Sequence, residues 1–447
     1  MVLDTLAPEP RSGAQRIYRL LWRWHFYAGL FCIPFILVLA VSGTLYLFKP
    51  QVERWQDRAF DTVVFTGQRL GITREVGLAL QQHPAARFAQ YEVAPIKEGA
   101  GRVWLRDAGG AKLRVVIHPI DGHVIDDSTE SQRLMQVIKT LHGELLLGDG
   151  GSLVVELAAC WAVVLVSSGL YLWWPRNTGA MAGVLYPRLR QGRGILWRDL
   201  HAVTGMWVSV LALTLLLTAL PWTGFWGKAF KQVRQWSQVA LVQQDWTQSR
   251  SEERAEHVEH AGSHLAAEAA VASAFTMHDA VIYAQSLDWA RPVLVAQKNG
   301  NWVISSEAQN RPLRQSVMLD GQTGRVVERE QFADKLLTDR IVAIGVAAHE
   351  GQLFGWLNQL LGVVTTLGLV TVAVSGFAGW WRRRPTGRLG APPPVPKTLG
   401  MGFALMIMFF ALLLPLLGCS LVLIAFVDRV VLRSAGSLRH WLGLTPI

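Results

Sequence analysis

Five stretches of the chain are almost wholly apolar, at about residues 24–48, 152–174, 200–222, 356–381 and 399–426. Each is near the roughly 20 residues that a helix needs to cross a bilayer. The pattern predicts a membrane α-helical bundle, with long polar segments at 49–141 and 223–345 separating the first helix from the second and the third from the fourth. Short loops at 175–199 and 382–398, an N-terminus at 1–23 and a tail at 427–447 complete the division. Inside each polar segment a strand, turn, strand pattern recurs. Leu113 to Ile117 precede Asp121-Gly122 and then Val124 and Ile125, and Val317 to Leu319 precede Thr323-Gly324 and then Val326 and Val327. Glycine at these places gives the backbone freedom that a hairpin needs. Two small α+β domains are the expected result, the second longer through a polar, helix-forming insertion at about 249–275.

The second and fourth helices match at a constant offset of 207 residues. His142 falls on His349, Leu146 on Leu353, Gly148 on Gly355, Ser168 on Ser375, Gly169 on Gly376, Trp173 on Trp380, Trp174 on Trp381 and Arg176 on Arg383. The first and third helices share a fainter offset of 176, which carries His25 onto His201, Gly29 onto Gly205, Leu37 onto Leu213 and Leu39 onto Leu215. The expected architecture is an internal two-fold repeat of helix, external domain, helix, followed by an extra fifth helix. Parallel repeats of this kind place shared sites between the halves.

Composition agrees with a membrane setting. Of the 447 residues 51% are hydrophobic and 17% charged, against about 25% charged in a soluble domain. The net charge of +10 could suit nucleic acid, but the arginines stand beside the apolar runs, where cytoplasmic loops of membrane proteins carry them. Arg176, Arg188, Arg190, Arg193 and Arg198 follow the second run, and Arg382, Arg383, Arg384 and Arg388 follow the fourth. Those loops are expected inside and both long segments outside, in the periplasm of a bacterial inner-membrane protein whose N-terminus is cytoplasmic. A fifth span then carries the tail outside too, against the charge of Arg429, Arg433 and Arg439. Cys32, Cys160 and Cys419 all lie in apolar runs, so neither a disulfide framework nor a thiolate metal cage is available.

Four of the twelve histidines occupy corresponding ends of the repeated helices. His25 and His201 begin the first and third on the expected cytoplasmic side, whereas His142 and His349 precede the second and fourth on the periplasmic side. Ionisable groups at the membrane are costly and mark function, and neutral imidazole is a common axial ligand of haem iron. Two bis-histidine haem sites at different depths would make an electron path. Histidines also sit among lipid headgroups, but headgroup contact does not require equivalence between copies. Gly29 and Gly205, one turn beyond their histidines, leave room for a flat macrocycle or for close helix packing. His142 precedes its apolar run by about ten residues, roughly 15 Å of helix, and Gly148, Gly150 and Gly151 are expected to break the chain between, leaving it on a short interfacial helix.

His257, His260 and His264 share one helix face beside Glu256 and Glu259, the spacing of a further transition-metal site or of a solvated face. His118 and His123 flank the first hairpin turn and read as domain surface. Most tryptophans, Trp22, Trp24, Trp173, Trp174, Trp222, Trp226, Trp380 and Trp381 among them, mark bilayer edges.

The segment Leu141-His142-Gly143-Glu144-Leu145-Leu146-Leu147-Gly148, the segment Ser168-Gly169-Leu170-Tyr171-Leu172-Trp173-Trp174-Pro175, the helix starts at His25 and His201 and the two hairpins together resemble the PepSY-associated transmembrane helix family over about residues 15–385. That family includes inner-membrane ferric-siderophore reductases with b-type haem between helices and external PepSY domains. The resemblance implies two haem b groups, a ferric chelate or siderophore as periplasmic substrate, and release of iron on reduction. The fifth helix, the insertion and Glu350 in place of the first copy's Gly143 depart from the pattern. No G-x-G-x-x-G follows a strand, so electrons are expected from a quinol or a separate reductase. A colourless PepSY protein that binds or regulates a periplasmic protease or partner is the alternative. A small-solute transporter fits the repeats but not the scarcity of charge within the helices.

Overall fold

A computed structural model describes residues 13–61, 64–176, 181–236, 275–394 and 400–444. They fall into two compact units. One comprises Met1–Val41, Ser152–Leu220 and Val364–Ile447, the other Ser42–Gly151 and Pro221–Val363.

The elements, in chain order, start with α1 (Gly13–Leu47), α2 (Lys49–Asp61) and α3 (Ile72–Gln82). Strands β1 (Arg87–Glu92), β2 (Arg102–Arg106), β3 (Lys112–Ile117) and β4 (Val124–Thr129) lead to α4 (Leu134–Glu144) and α5 (Gly148–Trp173). Helices α6 (Arg193–Ala219), α7 (Gly224–Trp236) and α8 (Met277–Ser286) precede β5 (Val293–Lys298), β6 (Asn301–Ser306), β7 (Gln315–Leu319) and β8 (Val326–Gln331). The chain ends with α9 (Leu337–His349), α10 (Trp356–Arg383), α11 (Met401–Leu413), α12 (Pro415–Val430) and α13 (Gly436–Trp441).

Four helices are long and apolar enough to span a membrane: Gln15–Leu47, Gly148–Trp173, Arg193–Trp222 and Trp356–Arg383. They coincide with the first four apolar runs. The indoles of Trp173 and Trp380 donate to the carbonyls of Val184 and Leu389 at 3.0 and 2.8 Å, so these edge residues also pin the loops that follow their helices.

The fifth run is not one continuous helix. At Leu414, with φ −123° and ψ 83°, the helix breaks, and Pro415 opens the next one. Proline drives its predecessor out of helical geometry and supplies no N–H to continue the ladder. The backbone then returns towards the end of the unit from which α11 sets out. Leu389 N–H donates to Trp441 O at 3.0 Å, Tyr27 hydroxyl to Leu442 O at 2.5 Å, and the Arg23 guanidinium to Gly443 O at 2.8 Å and to Pro392 O. Residues just before α11 and just after α12 therefore meet. The tail lies beside Arg23 and Tyr27, and the 13-residue α11 is about 20 Å long, shorter than the four long apolar helices.

The two segments between spans do not form two separate domains. Their strands join in one eight-stranded sheet of order β4-β3-β2-β1-β5-β6-β7-β8, antiparallel throughout. The join pairs Tyr91 with Val295 and Glu92 with Leu294, and Val93 N–H donates to Val293 O at 2.9 Å. Val76 and Ala79 of α3 and Ala280, Val281 and Ala284 of α8 share a core with Leu105, Val115, Ile304, Val317 and Leu319 of the sheet. Both hairpins lie where expected, each with a register shift one residue before the turn, at Val116/Ile117 and at Met318/Leu319.

Arg102 and Arg114, on β2 and β3, are buried. Asp57 of α2 binds the Arg114 guanidinium at 2.7 and 3.1 Å, Arg133 lies 3.3 Å from it, and Asp61 pairs with Arg102. Phe60 lies under both guanidinium groups, 5.4 and 5.6 Å from its ring centre. Burial alone would raise the Asp57 carboxyl, but the bonds and charges of Arg114, with Arg133 and Arg102, carry it below its ordinary value.

Candidate functional site

The four histidines come together in two pairs, one in each unit. His25 and His201 stand with ring centres 6.0 Å apart and planes at 84°. His142 and His349 stand 6.3 Å apart at 68°. A metal–imidazole bond of about 2.0 Å sets a ring centre about 3.1 Å from the ion, so two opposed imidazoles on one metal have centres about 6.2 Å apart. Both pairs have that spacing, and the residues present fit an axially ligated metal group.

Helix α1 presents His25 to α5, and α6 presents His201 to α10. His25 Nδ1 lies 3.1 Å from Leu165 O and 3.1 Å from Ser168 Oγ, and His201 Nδ1 lies 2.9 Å from Val372 O. A carbonyl only accepts, so each Nδ1 carries the proton and each Nε2 the lone pair that a metal takes. Such a bond to the outer nitrogen orients a ligand imidazole and raises its basicity. Leu165 and Val372 are 207 residues apart, the offset that relates the helices in sequence.

Small residues permit the approach. A methyl group at Gly169 would stand 3.1 Å from His25 Cε1, and one at Gly376 3.0 Å from His201 Nδ1. Gly29 and Gly205 do something else. Their nearest neighbours beyond their own helices are Leu165 Cδ1 and Val372 Cγ2, at 3.6 and 3.7 Å from an added methyl. That is ordinary close packing of α1 on α5 and of α6 on α10.

In the other unit His142 lies in the last turn of α4 and His349 ends α9. The short helix expected for His142 is present, but the break after it falls on Leu145 and Leu146, left-handed at φ 51° and 60°, and on Gly148. Gly150 and Gly151 belong to α5. His142 Nδ1 lies 3.1 Å from Ser42 Oγ, and a methyl at Gly43 would stand 3.0 Å from His142 Cε1. Neither Ser42 nor Gly43 stood out in the sequence, since small residues within an apolar span carry no signal until their neighbour is known. Glu350 lies 3.5 Å from the buried Arg311 guanidinium, which stacks 4.9 Å from the centre of the Trp222 ring. The replaced Gly143 thus becomes an ion pair next to His349.

His257, His260 and His264, with the insertion that carries them, lie outside the described residues. His118 and His123 are brought together with Asp121 at the β3–β4 turn.

A family model described as the PepSY-associated TM region matches residues 22–383. No curated protein matches the chain.

Proposed function

The chain belongs to the PepSY-associated transmembrane family, and we propose that this membrane protein is a di-haem electron carrier that reduces chelated ferric iron. The observation that carries the reading is the spacing of two histidine pairs at 6.0 and 6.3 Å, a separation at which two imidazoles could hold one metal. On this reading His25 and His201 hold one haem b, and His142 and His349 hold the other. Each group supplies reversible one-electron chemistry at its iron.

The chain's own contribution is ligation and placement. Leu165 O and Val372 O fix which nitrogen of His25 and His201 faces the metal, while Gly169 and Gly376 leave the imidazoles their space. Ser42 and Gly43 serve His142 in the same way. The substrate is a ferric siderophore or similar chelate in the periplasm, and a quinol or separate reductase supplies electrons. Arginines beside the spans support an inner-membrane protein whose N-terminus, short loops and tail are cytoplasmic. The contacts repeated 207 residues apart support an internal two-fold repeat, with four repeated helices and two PepSY halves that share a sheet.

The reduced-minus-oxidised spectrum of purified protein tests the reading. A Soret band that shifts with dithionite is expected, and a ferric chelate should reoxidise the reduced protein. His142→Ala should lose one haem equivalent and His25→Ala the other, as counted by pigment extraction. Colourless protein would overturn the proposal in favour of a PepSY binding or regulatory role.

A further inference from the structure

The two sheet hairpins close on the same backbone pattern with different side chains. In the first, His118 N–H donates to His123 O at 2.8 Å and Gly122 N–H to His118 O at 3.0 Å. In the second, Asp320 N–H donates to Arg325 O at 2.9 Å and Gly324 N–H to Asp320 O at 2.9 Å. Gly122 and Gly324 hold positive φ, 83° and 67°. Asp320 Oδ1 also accepts from Thr323 N–H and Thr323 Oγ1 at 2.7 and 2.8 Å, which completes the second turn with no imidazole. In the first turn His118 Nδ1 stands where Asp320 Oδ1 stands in the second, with the N–H groups of Ile120 and Asp121 donating to it at 3.4 and 3.3 Å, so the backbone pattern itself does not call for imidazole.

The two imidazoles also converge. His118 Nδ1 and His123 Nδ1 lie 2.9 and 2.7 Å from the same atom, Asp121 Oδ1, with the two rings stacked 4.7 Å apart at 20°. The ligating atoms of the three residues fall within 4.8 Å of one another, the one such group of three among the described residues. Asp121 and His123 are open to solvent, while the ring of Phe65 meets that of His118 edge-on at 4.8 Å. We propose that His118, Asp121 and His123 form a binding site for a divalent first-row transition-metal ion, with its remaining positions open to water or a small ligand.

Imidazole suits zinc, copper, nickel and iron, and two imidazoles with one carboxylate select against magnesium and calcium, which prefer oxygen alone. Bonds of about 2.0 Å in a tetrahedral arrangement separate ligand atoms by about 3.3 Å. The two imidazole nitrogens, 2.9 and 2.7 Å from Asp121 Oδ1, need only move out from it by about half an ångström, at a turn where Asp121 and His123 are exposed. All three ligands stand on one hairpin closed by its own backbone bonds, which keeps the ordering cost of binding small.

The second hairpin supplies the control. In detergent, the full-length protein is titrated with Zn2+ by calorimetry beside the double variant His118→Asp/His123→Arg, which carries the residues found at those turn positions in β7–β8. The variant should bind one equivalent fewer, and Asp121→Asn should weaken that equivalent by tenfold or more. Cu2+ added to the native protein should show two coupled nitrogens by electron paramagnetic resonance that the double variant lacks. Equal stoichiometry and affinity in native and double-variant protein would overturn the site. Because the readout is a difference of one equivalent, metal bound elsewhere on the chain does not mimic it, and it is independent of whether haem is present.

Discussion

At Gly376 there is little room for added atoms beside a proposed ligand. A methyl there would stand 3.0 Å from His201 Nδ1 and 3.1 Å from Cε1, so a valine must displace the imidazole. Gly376→Val is expected to lose or shift the absorbance of one haem and leave that held by His142 and His349, read in the reduced spectrum beside His142→Ala. Asp57 makes a second, separate case. Removing one partner of a buried ion pair costs about 3–5 kcal/mol, and Asp57→Asn should lose about that at neutral pH, measured by denaturant unfolding followed by tryptophan fluorescence. The sign with pH follows from the lowered carboxyl. Its contribution is complete above the ordinary value of 3.8 and is lost as pH falls through the lower folded value. The gap between native protein and Asp57→Asn should therefore narrow steadily below that pH.

Among the elements, spans were legible and strands less so. A run of 20 apolar residues has few alternatives to a membrane helix; α5 and α10 follow from it to within a few residues, while α1 and α6 begin eleven and seven residues before their runs. The hairpins were visible through Gly122 and Gly324, but β1, β2, β5 and β6 were not picked out. In β2 the reason is physical: Arg102 is buried on the face turned to α2, so its charge, read in sequence, argues against the burial it has. The fifth run misled in the opposite way. Leu414-Pro415 is its only polar-free break, and hydropathy passes over it. In a background lacking exposed Cys419, a cysteine placed at Ser434 should be labelled from the same membrane face as one at Arg384, and from the face opposite to one at Asn299. Labelling of Ser434 and Asn299 positions from one face would restore the fifth span.

At the scale of the whole molecule, the histidine pairs were legible because two independent offsets, 176 and 207, placed four rare residues at matching helix ends. Their pairing was legible only as topology. The carbonyls of Leu165 and Val372 were not legible at all, since every residue has one and only the folded packing selects which meets an imidazole. The union of the two segments between spans was equally hidden, because the edges of β1 and β5 carry no mark of the partner they find. That union has a mechanical consequence. A carrier that alternates its opening between two sides must rock one half of its repeat against the other, and every swing here would work against the rungs between Tyr91 and Val295, Glu92 and Leu294, and Val93 and Val293. The halves are stitched rather than hinged. Such a frame suits cargo that crosses without the protein moving, and an electron is cargo of that kind.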